Sequence, residues 1–199
     1  MFDGTFAPLL YAASGQINLV SPLSLAGRAT THICVAMNNR PLKCIDMAVQ
    51  PASPAIFLSG GSGDSFSYAV ALNEDGTRNS AENPSQVGSV VSLFLTGLGT
   101  VTPVTPDGAV TPVPPPSLDL NWRVNVEWDT SRPSVFFDVS PRVLYIGPAP
   151  LSVEGLAQAA FVIPARPTGN TVKNPLISLF TKLPGRTQFN TPKVTIWMK

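Results

Sequence analysis

The sequence predicts an all-β protein built from two related sandwich units, the first incomplete on its N-terminal side. Three observations carry that reading. Charged residues make up 13% of the 199 residues, against about 25% in an average soluble domain, so the strong helix formers Lys, Glu and Arg are scarce. Prolines number 21, roughly twice the usual share of ~5%, and a proline cannot donate to a sheet ladder. Between these breaks lie short apolar runs, several with period-two alternation. A hydrophobic share of 44% is enough for a real core and argues against disorder.

Taken in order, Leu10-Tyr11 ends a first strand and Gln16-Ile17-Asn18-Leu19-Val20 forms a second, stopped by Pro22. Ile33, Val35 and Met37 then alternate with His32, Cys34 and Ala36. After the turn Asn38-Asn39-Arg40-Pro41, Ile45, Met47 and Val49 alternate with Cys44, Asp46 and Ala48. This is a hairpin. If its Ile and Val positions face the core, both cysteines share the opposite face as cross-strand neighbours. The reading is a Cys34–Cys44 disulfide closing a short loop, worth roughly 2–3 kcal/mol; two free thiols in a reducing compartment are the alternative. Two thiols and the single histidine, His32, fall short of four zinc ligands.

Further strands are expected at residues 54–58, 68–72 and 89–96, with the turn Asn73-Glu74-Asp75-Gly76-Thr77 after the second. The proline-rich stretch 97–116 reads as an ordered surface loop. Trp122, Val124, Val126 and Trp128 alternate with Arg123, Asn125 and Glu127, which places both tryptophans on the core side of a strand. Phe136 and Phe137 mark the next strand, and residues 193–198 the last. Residues 152–160 imitate a helix start, but Gly155 interrupts it, and a short turn is assigned there.

The chain also repeats itself. Gln16/Gln158, Val20/Val162, Pro22/Pro164 and Gly27/Gly169 share one offset of 142 residues, and Leu10-Tyr11 is echoed by Leu144-Tyr145. Apolar strands follow both copies. The first copy has no counterpart to the strands at 89–96 and 122–128, which would fall before Met1. The expected division is therefore 1–51, the C-terminal strands of a partial first sandwich, and 52–199, the second sandwich. Half a sandwich leaves an apolar face and strand edges open.

Several segments resemble a known family. They are Ala7-Pro8-Leu9-Leu10-Tyr11, Gly15-Gln16-Ile17-Asn18, Pro54-Ala55-Ile56-Phe57, Leu72-Asn73-Glu74-Asp75-Gly76-Thr77 with Asn79-Ser80 and Asn83-Pro84, and Thr96-Gly97-Leu98-Gly99. Ala149-Pro150, Gly155-Leu156, Gln158 and Val162-Ile163-Pro164 complete the set. In this order they resemble the uncharacterised C-terminal β-sandwich domain of large secreted proteins from Solibacter-type acidobacteria. The resemblance implies two tandem immunoglobulin-like sandwiches of the transcription-factor-immunoglobulin (TIG-like) type and an extracellular or cell-surface setting. It implies no activity, cofactor or catalytic residue. This chain departs from the pattern in reading Gln158-Ala159-Ala160 where Gln-Val-Asn is usual, in an insertion-like stretch at 129–142, and in the absence of the family's usual first strands before Met1.

Chemistry is sparse. One histidine, no Gly-x-Ser-x-Gly elbow and no phosphate-loop ending are present; Gly60-Gly61-Ser62-Gly63-Asp64 reads as a loop. The stretch from Asn73 to Asn79 carries oxygen ligands at alternate positions, as Ca²⁺ favours, but the glycine comes too early for an EF-hand. A tight turn is the reading, with Gly76 at positive φ and Asn79 bonding backbone. Glu74, Asp75 and Glu82 sit in the same polar loop and read as solvated. Gln16, Asn18 and Gln158 are expected to bond loop backbones inside the fold. Nucleic acid is excluded by a net charge of +1 without a basic cluster, and a membrane span by the lack of about 18 consecutive apolar residues. What remains is a non-catalytic structural or interaction module without cofactor or metal. Its partners would be other chains or domains of the same secreted protein, in a homo-oligomer or filament built by strand complementation. A carbohydrate-binding module using Trp122, Trp128 and Trp197 is the alternative.

Overall fold

Alternating apolar residues become strands wherever a neighbouring strand can take up their backbone groups, and this rule builds the whole protein. The computed structural model describes residues 1–38, 40–60, 67–128, 138–168, 172–183 and 188–199. Asn39, the 61–64 part of the glycine-rich loop, Phe136, Phe137 and Gly169 lie outside the described residues. The strands are β1 (Leu9–Ala13), β2 (Gln16–Leu19), β3 (Thr30–Met37), β4 (Arg40–Ala48), β5 (Ala55–Ile56), β6 (Ala71–Asn73), β7 (Val90–Thr96) and β8 (Val101–Thr102). They continue with β9 (Ser117–Leu118), β10 (Arg123–Glu127), β11 (Asp138–Val139), β12 (Val143–Pro148), β13 (Leu156–Val162), β14 (Leu176–Lys182), β15 (Gln188–Asn190) and β16 (Val194–Thr195). Apart from a 3-10 turn at Leu23–Leu25, the described residues contain no helix, and the protein is all-β. Residues 152–160 turn and enter β13, as Gly155 (φ +89°) requires.

The chain forms two compact units. The larger comprises Ser53–Leu98, Leu120–Gly147 and Leu156–Lys199. It holds two five-stranded sheets in a sandwich-like arrangement. One runs β12-β13-β7-β5 with β6 also on β7; the other runs β11-β10-β14-β15 with β16 also on β14. Register matches the alternation. Leu93 lies opposite Ala159 across β7–β13, and Val126 opposite Ile177 across β10–β14. Val91, Leu93 and Leu95, Ala159 and Phe161, Val124 and Val126, Ile177 and Leu179 are all buried. A fully buried Leu, Ile or Phe contributes roughly 1.5–3 kcal/mol by leaving water. Trp122 and Trp128 are buried at 5% and 0% exposure, and the Trp122 Nε1–H donates to the Leu98 carbonyl at 2.9 Å. Gly97, at φ +74°, passes so close to Ser53 that a Cβ would land on its carbonyl oxygen.

The smaller unit comprises Met1–Ala52, Gly99–Asp119 and Pro148–Gly155. It therefore reaches beyond the expected 1–51. The proline-rich stretch is not merely a surface loop: it carries β8, which pairs with β9 just after it, and it buries Val101 and Thr111. Backbone bonds hold it in place, Thr111 N–H to Ser152 O at 2.8 Å and Glu154 N–H to Ala109 O at 2.8 Å. Leu23 N–H also donates to the Asp107 carboxylate at 2.8 Å. Hairpins β1–β2, β3–β4 and β8–β9 each remain two-stranded sheets. The disulfide Cys34–Cys44 forms as read, at directly opposed positions of β3–β4.

Candidate functional site

The repeat acquires a structural meaning when its two copies are set side by side. Around β13 and β14, the second copy is fully paired. β13 lies between β12 and β7, and β14 between β10 and β15. Their counterparts in the smaller unit are β2 and β3. Among the described residues β2 pairs with β1 alone, and β3 pairs with β4. The second edge of β3 carries the short segment Met1–Asp3, which satisfies the outward groups of His32 and Cys34, and no full strand beyond them: Cys34 N–H donates to Met1 O (2.9 Å), the Met1 ammonium to Cys34 O (2.8 Å), Asp3 N–H to His32 O (2.9 Å) and His32 N–H to Asp3 Oδ1 (2.9 Å). Unpaired strand edges of this kind are templates for another strand.

The side chains agree with the backbone. Val35, at 44% exposure, and Ile45, at 50%, stand on the face expected to meet a core, together with Met47 and Met37. The alternation is present, but the face is covered only near its Thr31 end, where Thr31 is buried; around Val35, Met37, Ile45 and Met47 the described residues leave it exposed. Phe6, Leu9, Leu10 and Tyr11 are likewise exposed in the same unit.

The other residues read from the sequence divide into local roles. Asn79 is buried and binds four ways: its Nδ2 donates to Asn73 Oδ1 (3.1 Å), Ser85 Oγ (3.0 Å) and Trp197 O (2.8 Å), and its Oδ1 accepts Trp197 N–H (2.8 Å). Asp75 accepts both the N–H (3.0 Å) and the hydroxyl (2.6 Å) of Thr77, and these bonds hold its carboxyl below the usual range. Gly76 takes φ +80°. The turn thus staples the C-terminal segment. Two expectations are corrected. Gln16 and Asn18 bond each other across an exposed face (2.7 Å), and Gln158 donates to Ser92 Oγ across β13–β7 (3.1 Å); neither of these bonds reaches a loop backbone. All three are strand residues whose neighbours on the same face are within reach.

The aromatic platform also changes. Trp122 and Trp128 are buried, and Trp197 stacks flat on Tyr68 at 3.9 Å between centroids, so these residues do not make an exposed row. His32 Nδ1 meets Asp46 Oδ1 at 2.6 Å on the open side of the disulfide hairpin. Alternation puts His32 and Asp46 on the outward face, but only the ladder register brings them opposite each other. No protein family, curated protein or solved structure matches the chain.

Proposed function

We propose that this protein is a non-catalytic interaction module of a secreted or cell-surface protein, whose smaller unit is completed by a donated strand. The donor is a neighbouring subunit or another part of the same secreted protein. The observation that carries this is the contrast between copies: β13 and β14 are paired with a strand on both sides, whereas β2 pairs with β1 alone and β3 has a full strand on one side only, with exposed Val35 and Ile45 nearby. Strand addition satisfies the open backbone groups and covers the apolar face in one step. Repeated head to tail, it builds a filament. The disulfide fits an oxidising compartment, and the motif order of the Solibacter-type TIG-like domains supports the same setting. The carboxylates of the 73–85 loop, engaged by neighbouring groups as Asp75 is by Thr77 and Glu74 by Val90 N–H, favour a structural over a catalytic reading.

Hydrogen exchange tests this reading. In the chain held monomeric by Val35→Lys with Ile45→Lys, outward-facing amides of β2 and of β3 beyond Cys34 should exchange fast. Those of β7, β13 and β14 should exchange slowly. Slow exchange throughout β2 and β3 in a monomer would overturn the proposal.

A further inference from the structure

The β3–β4 ladder sets two cross-strand pairs next to each other, His32 opposite Asp46 and Cys34 opposite Cys44. Residues two apart on a strand point to one side, so all four side chains share the face opposite Val35 and Ile45. A ring nitrogen of His32 and the two sulfurs lie within 4.8 Å of one another. His32 Nδ1 is already engaged by Asp46 at 2.6 Å, which leaves Nε2 as the nitrogen open to an ion. The face is accessible: the side chains of His32 and Asp46 are 54% and 80% exposed. The sequence by itself offers two thiols and one imidazole. The ladder adds a carboxylate where a histidine-orienting group belongs. Three protein ligands of the Cys₂His kind, with water in the fourth position, suit Zn²⁺, and a carboxylate on the far nitrogen is the usual partner of a metal-bound histidine.

We infer that, when the disulfide is reduced, this face binds one Zn²⁺ through the sulfurs of Cys34 and Cys44 and Nε2 of His32. Asp46 is a positioning residue, and water fills the fourth site. The sulfurs must part to about 3.8 Å, the edge of a tetrahedron with Zn–S near 2.3 Å. Rotations about χ1 on each strand supply this with the ladder register kept. The electron balance is simple. A dithiol reductant gives two electrons and two protons, becomes a disulfide itself, and the Cys34–Cys44 bond opens to two thiols. Zn²⁺ then displaces both protons as the thiolates form. A disulfide oxidant reverses this: it takes two electrons from the two thiolates and two protons from solvent to become two thiols, the protein bond re-forms, and the ion leaves. Bridge and metal are therefore alternative occupants of one site, chosen by the thiol balance around the protein.

The test uses the full chain, reduced with a phosphine that contributes no thiol, and titrated anaerobically with Co²⁺ and then Zn²⁺. One equivalent of Co²⁺ should give a thiolate charge-transfer band and the intense visible bands of a four-coordinate site, and Zn²⁺ should bleach both. The oxidised chain should give neither. Asp46→Asn should weaken Zn²⁺ binding about 10-fold or more, with Asp46→Glu restoring part of it, and His32→Ala should remove the four-coordinate spectrum. Metal binding and folding of such a site are coupled, so a competent site would assemble even from a frayed hairpin. Absence of the thiolate band in the reduced chain overturns the inference. So does a spectrum and affinity unchanged in both His32→Ala and Asp46→Asn, which would mean two thiols acting alone.

Discussion

At the scale of single residues, stability is concentrated where one buried polar side chain serves several groups. Asn79 is the clearest case, because it accepts the Trp197 N–H and shares the Trp197 C=O with the Ser85 N–H. Asn79→Ala should cost roughly 1–3 kcal/mol in urea unfolding, since the Trp197 N–H loses its acceptor; a loss within measurement error would mean water replaces the amide. Titrating residues of the smaller unit act in opposite directions. Burial raises the Glu154 carboxyl above its usual range; Asp107 adds to this and the Gly108 N–H partly offsets it. An acid whose folded pKa is raised costs stability while ionised, and the cost disappears as pH falls through that pKa. Glu154→Gln should therefore raise the melting temperature at neutral pH, with the advantage vanishing in acid. The Asp119 carboxyl is lowered by the Thr100 hydroxyl first and the Thr102 hydroxyl second. Its contribution is present above the ordinary carboxylate range and lost as pH falls through the folded value. Melting scans of Glu154→Gln and Asp119→Ala across pH should move with opposite sign.

At the scale of elements, pattern and environment are separable. Trp122 to Trp128 alternates in sequence, and β10 buries the expected side because β14 and a packed layer lie against it. The β3–β4 hairpin alternates just as clearly, and its disulfide follows from facing and composition together. What alternation cannot reveal is whether anything covers the face it defines, and among the described residues Ile45 and Met47 stay exposed where a core was expected. Short strands were less legible. The strand expected at 68–72 is displaced to β6, with Tyr68 instead forming a parallel bridge to Thr195. The segment at 193–198 keeps only β16 as a strand, because Trp197 turns aside to meet Asn79. β8 and β9 hide in proline-rich sequence, since two ladder residues leave no periodicity to read. The disulfide itself is open to test. Cys34→Ser with Cys44→Ser should lower the stability of the hairpin by roughly 2–3 kcal/mol, read as faster amide exchange in β3 and β4 with β7 and β13 unchanged.

At the scale of the whole molecule, one unit is a finished sandwich-like body and the other is a set of two-stranded ribbons with apolar faces in water. Isolated ribbons of this kind are marginal unless a further layer or strand joins them. The division between copies, paired in one and open in the other, is what makes assembly the leading account of function. The most direct measurement is the absolute mass of the purified, non-reduced chain by light scattering after size exclusion. A donated strand predicts species well above the 21.0 kDa monomer that persist on dilution, and it predicts that the pair Val35→Lys and Ile45→Lys returns them to monomer mass while the larger unit stays folded. A uniform 21.0 kDa monomer at every concentration, unchanged by those substitutions, would contradict it and mean that the smaller unit closes on itself.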